Sequence, residues 1–206
     1  MQLDISHNLK NALASLNDIQ KTQVPFALAS TLTKTARDAE KAVTLHIGNV
    51  TEGGPTPYTR QAVGTKVAKK NNLESRVFIK YIQAQYLTWQ VHGGVRRPKD
   101  KVEVVPFDKN FRLNKYGNIP GRHAGSIGRW MKKQNMFVGT VKGIEGIWQR
   151  YKDKKRHPKL LMAFEGQVTY KKKIRFYETV IKIVNRVVVG HFKTQMAIAM
   201  ATRRHK

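Results

Sequence analysis

The sequence predicts an α+β fold: an N-terminal helix pair, a small mostly antiparallel sheet and a long C-terminal helix, with extended loop arms. Three observations predict it. Apolar residues recur at helical spacing over residues 3–45 and again over 176–203. Short β-branched and aromatic runs, divided by glycine, proline and asparagine, fill the middle. A hydrophobic share of 40%, with 8 Phe, 7 Tyr and 3 Trp, is enough to build a core and excludes a wholly disordered basic chain.

Taken in order, Ile5, Leu9, Ala12, Leu13, Leu16 and Ile19 form one stripe, predicting a helix over 3–21. A break at 22–24 leads to Pro25, well placed in the first turn of a new helix, where its missing N–H costs nothing. Leu28, Leu32, Ala36, Ala39 and Val43 carry that second helix to about residue 45. Its Ala, Ser and Thr suit either an ordinary helical hairpin or a packing surface for sister subunits. Residues 48–73 hold Gly53-Gly54-Pro55, Pro57 and several Thr and Asn without clear periodicity. We expect an extended or flexible arm there, either ordering against a partner or simply disordered at the surface.

Arg76 to Gln83 reads as a strand, and Ala84 to His92 as a short helix stopped by Gly93-Gly94. Lys101 to Phe107 is a further extended piece, Leu113 to Gly121 is turn-rich, and His123 to Gln134 is a helix weakened by Gly125 and Gly128. Met136 to Val141, Gly146 to Tyr151 and Leu160 to Val168 read as strands, the first two joined by a hairpin loop at 142–145. Phe176 to Arg203 is the long helix, with Val180, Val184, Val187, Phe192, Met196 and Ala199 along its stripe and Gly190 as a point of bending. A length of 206 residues suits one domain with extensions or two small ones, and we read a single domain over 1–206.

Charge narrows the function. The chain carries 39 Lys and Arg against 13 Asp and Glu, a formal net charge of +26. Self-repulsion of this size opposes the compact state and is relieved by a densely negative partner. Nucleic acid is one such partner, because Lys and Arg displace condensed counterions from phosphates; an acidic protein surface is the other. A membrane is not expected, since no basic amphipathic helix with bulky aromatics stands out. No apolar run is long enough to span a bilayer. Residues 1–10 lack the basic-then-apolar order of a secretory signal, so synthesis in the cytoplasm is expected. The absence of cysteine excludes disulfides, thiolate catalysis and cysteine-based zinc sites.

Catalysis is not expected, and no cofactor or metal. The carboxylates are scattered, and the local group Asp100, Glu103 and Asp108 is flanked by Lys99, Lys101 and Lys109, as surface ion pairs would be. A nuclease would require one of that group to converge with Glu165, because a two-metal site needs several carboxylates together. The seven histidines show no metal-ligand spacing. Gly121, Gly125 and Gly128 lack the Gly-Lys-Ser/Thr ending of a phosphate loop, and the residues around Ser126 do not form a nucleophile elbow.

The basic runs are the candidate contacts for nucleic acid or an acidic partner. They are Arg96, Arg97, Lys99 and Lys101 after the double glycine, then Arg150, Lys152, Lys154, Lys155 and Arg156 between two strands, and Lys171, Lys172 and Lys173 before the last helix. No RNP-like strand or helix-turn-helix signature accompanies them, so phosphate contact without base reading is expected.

Several segments resemble proteins of tailed-phage virions. Residues from Ile19 (IQKTQVPFALA) are similar to the opening of the minor tail protein Z, or tail-completion, family. Tyr86-Leu87, Gln90, Gly93-Gly94 and Arg96, then LNKYGNIP from Leu113, Phe137-Val138-Gly139, GIWQR from Gly146, and Tyr170 with two lysines resemble phage proteins of similar length, in order and spacing. The resemblance implies a structural neck or tail component, assembled as a sixfold or twelvefold ring around the DNA channel. Its neighbours would be portal, adaptor or tail-tube proteins, with the channel DNA a further contact. Residues 48–73 fall outside this pattern.

Overall fold

The computed structural model describes residues 2–6, 18–97, 103–107, 110–120, 135–152 and 157–202. Along the chain come β1 (Gln2–Ser6), α1 (Asp18–Val50), α2 (Pro57–Arg60), β2 (Val63–Lys66), β3 (Glu74–Ile79) and α3 (Tyr81–His92). β4 (Gly94–Arg96), β5 (Glu103–Pro106), β6 (Met136–Val141), β7 (Ile144–Gln149), β8 (Lys159–Glu165) and β9 (Val168–Tyr170) follow, and α4 (Phe176–Ala201) closes the order. The class is α+β, with small antiparallel sheets and a long last helix, as the sequence predicts. Contacts within the chain form two compact units: Met1–Thr51, Pro55–His92 and Lys172–Lys206 in the first, Glu52–Gly54 and Gly93–Lys171 in the second.

The first unit is built on α1 and α4. They run antiparallel, because Asp38 meets His191 while His46, further along α1, meets the start of α4 at Arg175. Ala36, Ala39, Val43 and Ile47 line one side of α1 and are almost wholly buried. Phe176, Val180 and Ile183 face them from α4. Burying such side chains contributes roughly 1.5–3 kcal/mol each, which outweighs the modest propensity of a helix rich in Thr and β-branched residues. Thr31, Thr44 and Thr51 donate their hydroxyls to carbonyls four residues back, at 2.7, 2.8 and 2.7 Å, so these polar groups are satisfied within the helix.

Three expectations are corrected in this unit. Residues 2–6, expected to open a helix, form β1, antiparallel to β3 with Gln2 opposite Phe78 and Ser6 opposite Glu74. The rest of that expected helix, 7–17, lies outside the described residues. The break expected at 22–24 is absent: α1 runs through it, with Pro25 inside the helix giving up one backbone donor. Segment 48–73, expected as an arm, carries α2 and β2, and Ala62 and Val63 are core residues. β2 pairs with β3, making the three-stranded order β1-β3-β2.

β3 buries alternate residues, Ser75, Val77 and Ile79, and then gives way to α3 at residue 81, five residues into the stretch first read as one strand ending at Gln83. The Ser75 hydroxyl donates to the Lys66 carbonyl at 2.7 Å, so its burial leaves no polar group stranded. α3 ends at His92, where Gly93 takes φ +72° and Gly94 +115°, conformations that disfavour any side chain. On α4 the buried row is Phe176, Val180, Ile183, Gln195 and Ala199; Phe192, placed on the inner stripe from sequence, is 37% exposed.

The second unit contains the four-stranded order β5-β8-β7-β6 and the two-stranded ribbon β4-β9. Phe111, Ile147, Leu161 and Met162 form its core, with Leu113, Ile119, Met136 and Phe164 packed around them. β6 and β7 are joined through Lys142 and Gly143, at φ +51° and +78°. Two consecutive left-handed residues match the right-handed twist of the strands. The expected single strand 160–168 is two, β8 and β9, which belong to different sheets. The helix expected over 123–134 lies outside the described residues.

Phe176→Ala is expected to cost about 3–5 kcal/mol, since it empties a fully buried site between the long helices. Gly146→Ala is expected to cost about 1–3 kcal/mol, because an added Cβ would run into the Met162 carbonyl oxygen of the neighbouring strand. Urea denaturation followed by circular dichroism and tryptophan fluorescence measures both.

Candidate polyanion-binding surface

The expected basic runs are distributed over both units. In the second unit, Arg96 ends β4 and Lys171 follows β9; because Gly94 pairs with Tyr170 and Arg96 with Val168, the two cations lie toward opposite ends of this ribbon. Arg96 donates to Glu103 Oε1 at 3.0 Å, and Arg97 donates through Nε to Gln167 Oε1 at 3.3 Å. Arg150 stacks its guanidinium over the Phe137 ring, 4.7 Å from the centroid. Lys152 is exposed. Lys99, Lys101, Lys154, Lys155 and Arg156 lie outside the described residues.

In the first unit, Lys172 and Lys173 precede α4. Lys172 Nζ lies 2.7 Å from Glu178 Oε1. That hydrogen bond is the first cause holding the Glu178 carboxyl below its ordinary value of 4.5, with the helix backbone and the charges of Lys172 and Arg175 acting in the same direction. A lowered carboxyl contributes stability that is complete above the ordinary value and is lost as pH falls through the folded one.

The carboxylates of the nuclease test fall partly into view. Glu103 and Glu165 are directly opposite in the β5–β8 register. They are two, not three, and Arg96 already sits on Glu103. Asp100 and Asp108 lie outside the described residues. Among the described residues no group of three or more His, Cys, Asp or Glu is placed to hold a metal ion. His46 and His191 serve helix packing: the His46 Nε2 accepts from the Arg175 N–H at 3.0 Å, and the His191 Nε2 lies 2.8 Å from Asp38.

A different group of cations gathers in the first unit, and no run in the sequence marks it. Arg37 and Lys41 stand one turn apart on α1, Arg60 ends α2, and Lys80 follows β3. All four line one surface cleft of ≈ 750 Å³, with Leu45 and Val63 as apolar lining. Glu40 is its only acid, and Glu40 Oε2 accepts the Thr65 hydroxyl at 2.6 Å. The four cations are exposed, and among the described residues none of their charged side-chain groups has an ion-pair or hydrogen-bond partner. The i, i+4 spacing of Arg37 and Lys41 was legible as one helix face. Nothing in the sequence brings Arg60 and Lys80 to it; the position of α2 and the end of β3 does.

No protein-family model, no curated protein and no solved structure matches the chain. The likeness to phage tail-completion proteins therefore rests on the quoted motifs alone. Among the described residues no helix is long and apolar enough to cross a membrane.

Two outcomes are expected. Arg96→Gln leaves Glu103 facing Glu165 without a cation and costs about 0.5 kcal/mol, while adding Glu165→Gln recovers most of that loss in urea denaturation. Lys172→Gln moves the Glu178 carboxyl titration, followed by NMR, upward toward its ordinary value.

Proposed function

We propose that this protein is a non-enzymatic structural component of a phage neck or tail. In this reading it joins the head–tail connector to the tail tube as one subunit of a ring around the DNA channel. The observation that carries the reading is the ordered series of motifs from Ile19 to Tyr170 that resemble tail-completion and related virion proteins. Two physical features support it. The net charge of +26 is poorly neutralised from within, since the chain holds only 13 carboxylates and several are already engaged with cations. A DNA-filled channel, or acidic faces on the neighbouring proteins, would supply the missing negative charge. Second, α4 carries Ile181, Val189 and Phe192 at exposed positions on one side while another side packs within the unit. An apolar row of that kind suits contact with sister subunits, and heterologous contacts of identical chains close into a ring when the rotation closes.

The second reading is a free, non-sequence-specific nucleic-acid-binding protein, favoured by the unpaired cations of the first unit. It shares the charge argument and differs in assembly state.

Cryo-electron microscopy of purified particles from the source separates the two. The expected result is a closed ring of this chain between connector and tail, with basic residues toward the channel. Its absence from particles overturns the virion reading in favour of the free binding protein. In either case duplex DNA affinity is expected to fall steeply between 50 and 200 mM salt, on the order of 10³-fold if about six phosphates are engaged. A flat salt response removes DNA as the partner.

A further inference from the structure

We infer that the cleft lined by Arg37, Lys41, Arg60 and Lys80 is a binding site for a nucleic-acid strand with unpaired bases. The four cations would hold its phosphodiester groups, and Tyr58 and Tyr81 would stack on its bases. This assignment concerns a site that none of the sequence motifs marks, and it stands whether or not the protein belongs to a virion.

The first argument is electrostatic. Four cations converge on one cleft while a single carboxylate, Glu40, shares it. Some cations elsewhere are engaged, as with Lys172 on Glu178 and Arg96 on Glu103, and what sets the cleft apart is that its four converge. Arg37, Lys41, Arg60 and Lys80 have no such partners among the described residues. Their mutual repulsion in the free protein is relieved by an anion in the cleft. Two guanidiniums offer forked donors suited to phosphate oxygens, and two ammoniums add point charges.

The second argument selects nucleic acid over an acidic peptide. Tyr58 lies two residues before Arg60 and is 51% exposed; Tyr81 directly follows Lys80 and is 80% exposed. Helix α2, which carries Tyr58, and the start of α3, which carries Tyr81, are fastened together. Gln83 donates to the Tyr58 carbonyl at 3.4 Å, the Thr59 and Tyr86 hydroxyls lie 3.0 Å apart, and the Lys80 N–H donates to the Ala62 carbonyl at 2.8 Å. Both tyrosines are therefore carried on the same fastened backbone as Arg60 and Lys80, two of the cations that line the cleft. Exposed aromatic rings beside a basic groove are the arrangement that stacks unpaired bases without reading their identity. Carboxylate side chains would have no use for them.

The test is fluorescence anisotropy with labelled dT20, a 20-base-pair duplex and a poly-glutamate of matched charge, at several salt concentrations. The variant R37Q/K41Q/R60Q/K80Q removes the site, and R112Q/K142Q/K182Q/K193Q removes the same charge from exposed positions elsewhere. The cleft variant is expected to bind dT20 on the order of 100-fold more weakly at 0.15 M salt and to lower the salt slope by about 3, while the control changes affinity by less than about tenfold. Tyr81→Ala is expected to weaken dT20 about tenfold and to leave poly-glutamate binding unchanged. Because all the altered residues are exposed, each variant should keep the parent's melting temperature or exceed it, which excludes misfolding as the cause. Equal losses in the cleft and control variants overturn the proposal in favour of diffuse charge. Poly-glutamate binding as tightly as dT20, with no effect of Tyr81→Ala, overturns it in favour of an acidic protein partner.

Discussion

The seam between α1 and α4 is the contact on which the first unit depends. Ala36 and Ala39 are small enough to let α4 approach closely, and Val43, Ile47, Phe176, Val180 and Ile183 fill the remaining space. The same cluster takes in Val77 and Ile79 of β3, Leu87 and Val91 of α3, and Ala62 and Val63 around the start of β2. Sheet and short helix are therefore held by the helix pair rather than by their own small area. Polar contacts fix the alignment of the two helices at separate points, through Asp38 with His191 and His46 with the Arg175 N–H. Hydrophobic burial has no direction of its own; hydrogen bonds at separate points favour one alignment over its neighbours.

Charge is the second constraint. A chain with three times as many cations as carboxylates cannot pair them internally, so some must stay exposed and unneutralised. Which ones do is decided by local geometry. Arg96 finds Glu103 because β4 leads toward β5, and Lys172 finds Glu178 across the start of α4. Arg150 finds the face of Phe137 instead of an acid. The cations around the α1–α2 cleft find nothing comparable: Glu40, the one acid lining it, accepts the Thr65 hydroxyl and makes no ion pair with them. Clusters in the sequence and clusters in space are thus different sets.

Much of the fold was legible in the sequence wherever a segment's local pattern agreed with its final environment. α4 and the β6–β7 hairpin are examples: a sustained apolar row defines the one, and two β-rich runs about a turn holding Gly143 define the other. The failures have a common cause. Residues 2–6 carry an apolar spacing that a helix or a strand could use, and pairing with β3 selects the strand. Pro25 signals a helix start, yet α1 passes through it, since tertiary contacts further along hold the helix. The 48–73 segment lacks periodicity because α2 and β2 are each only four residues long, too short to display any.

The sequence by itself determined the α+β class, the long last helix, the lack of cysteine chemistry and the strongly basic character. Those properties depend on composition and on neighbours a few residues apart. Only the tertiary structure decided which cations are paired and which converge. Arg37 and Lys80 are far apart in the chain, and they share a cleft because β3 packs against α1 and delivers its end beside that helix. Proximity of that kind arises from burial of the apolar faces beneath, and no pattern in the charged residues themselves encodes it.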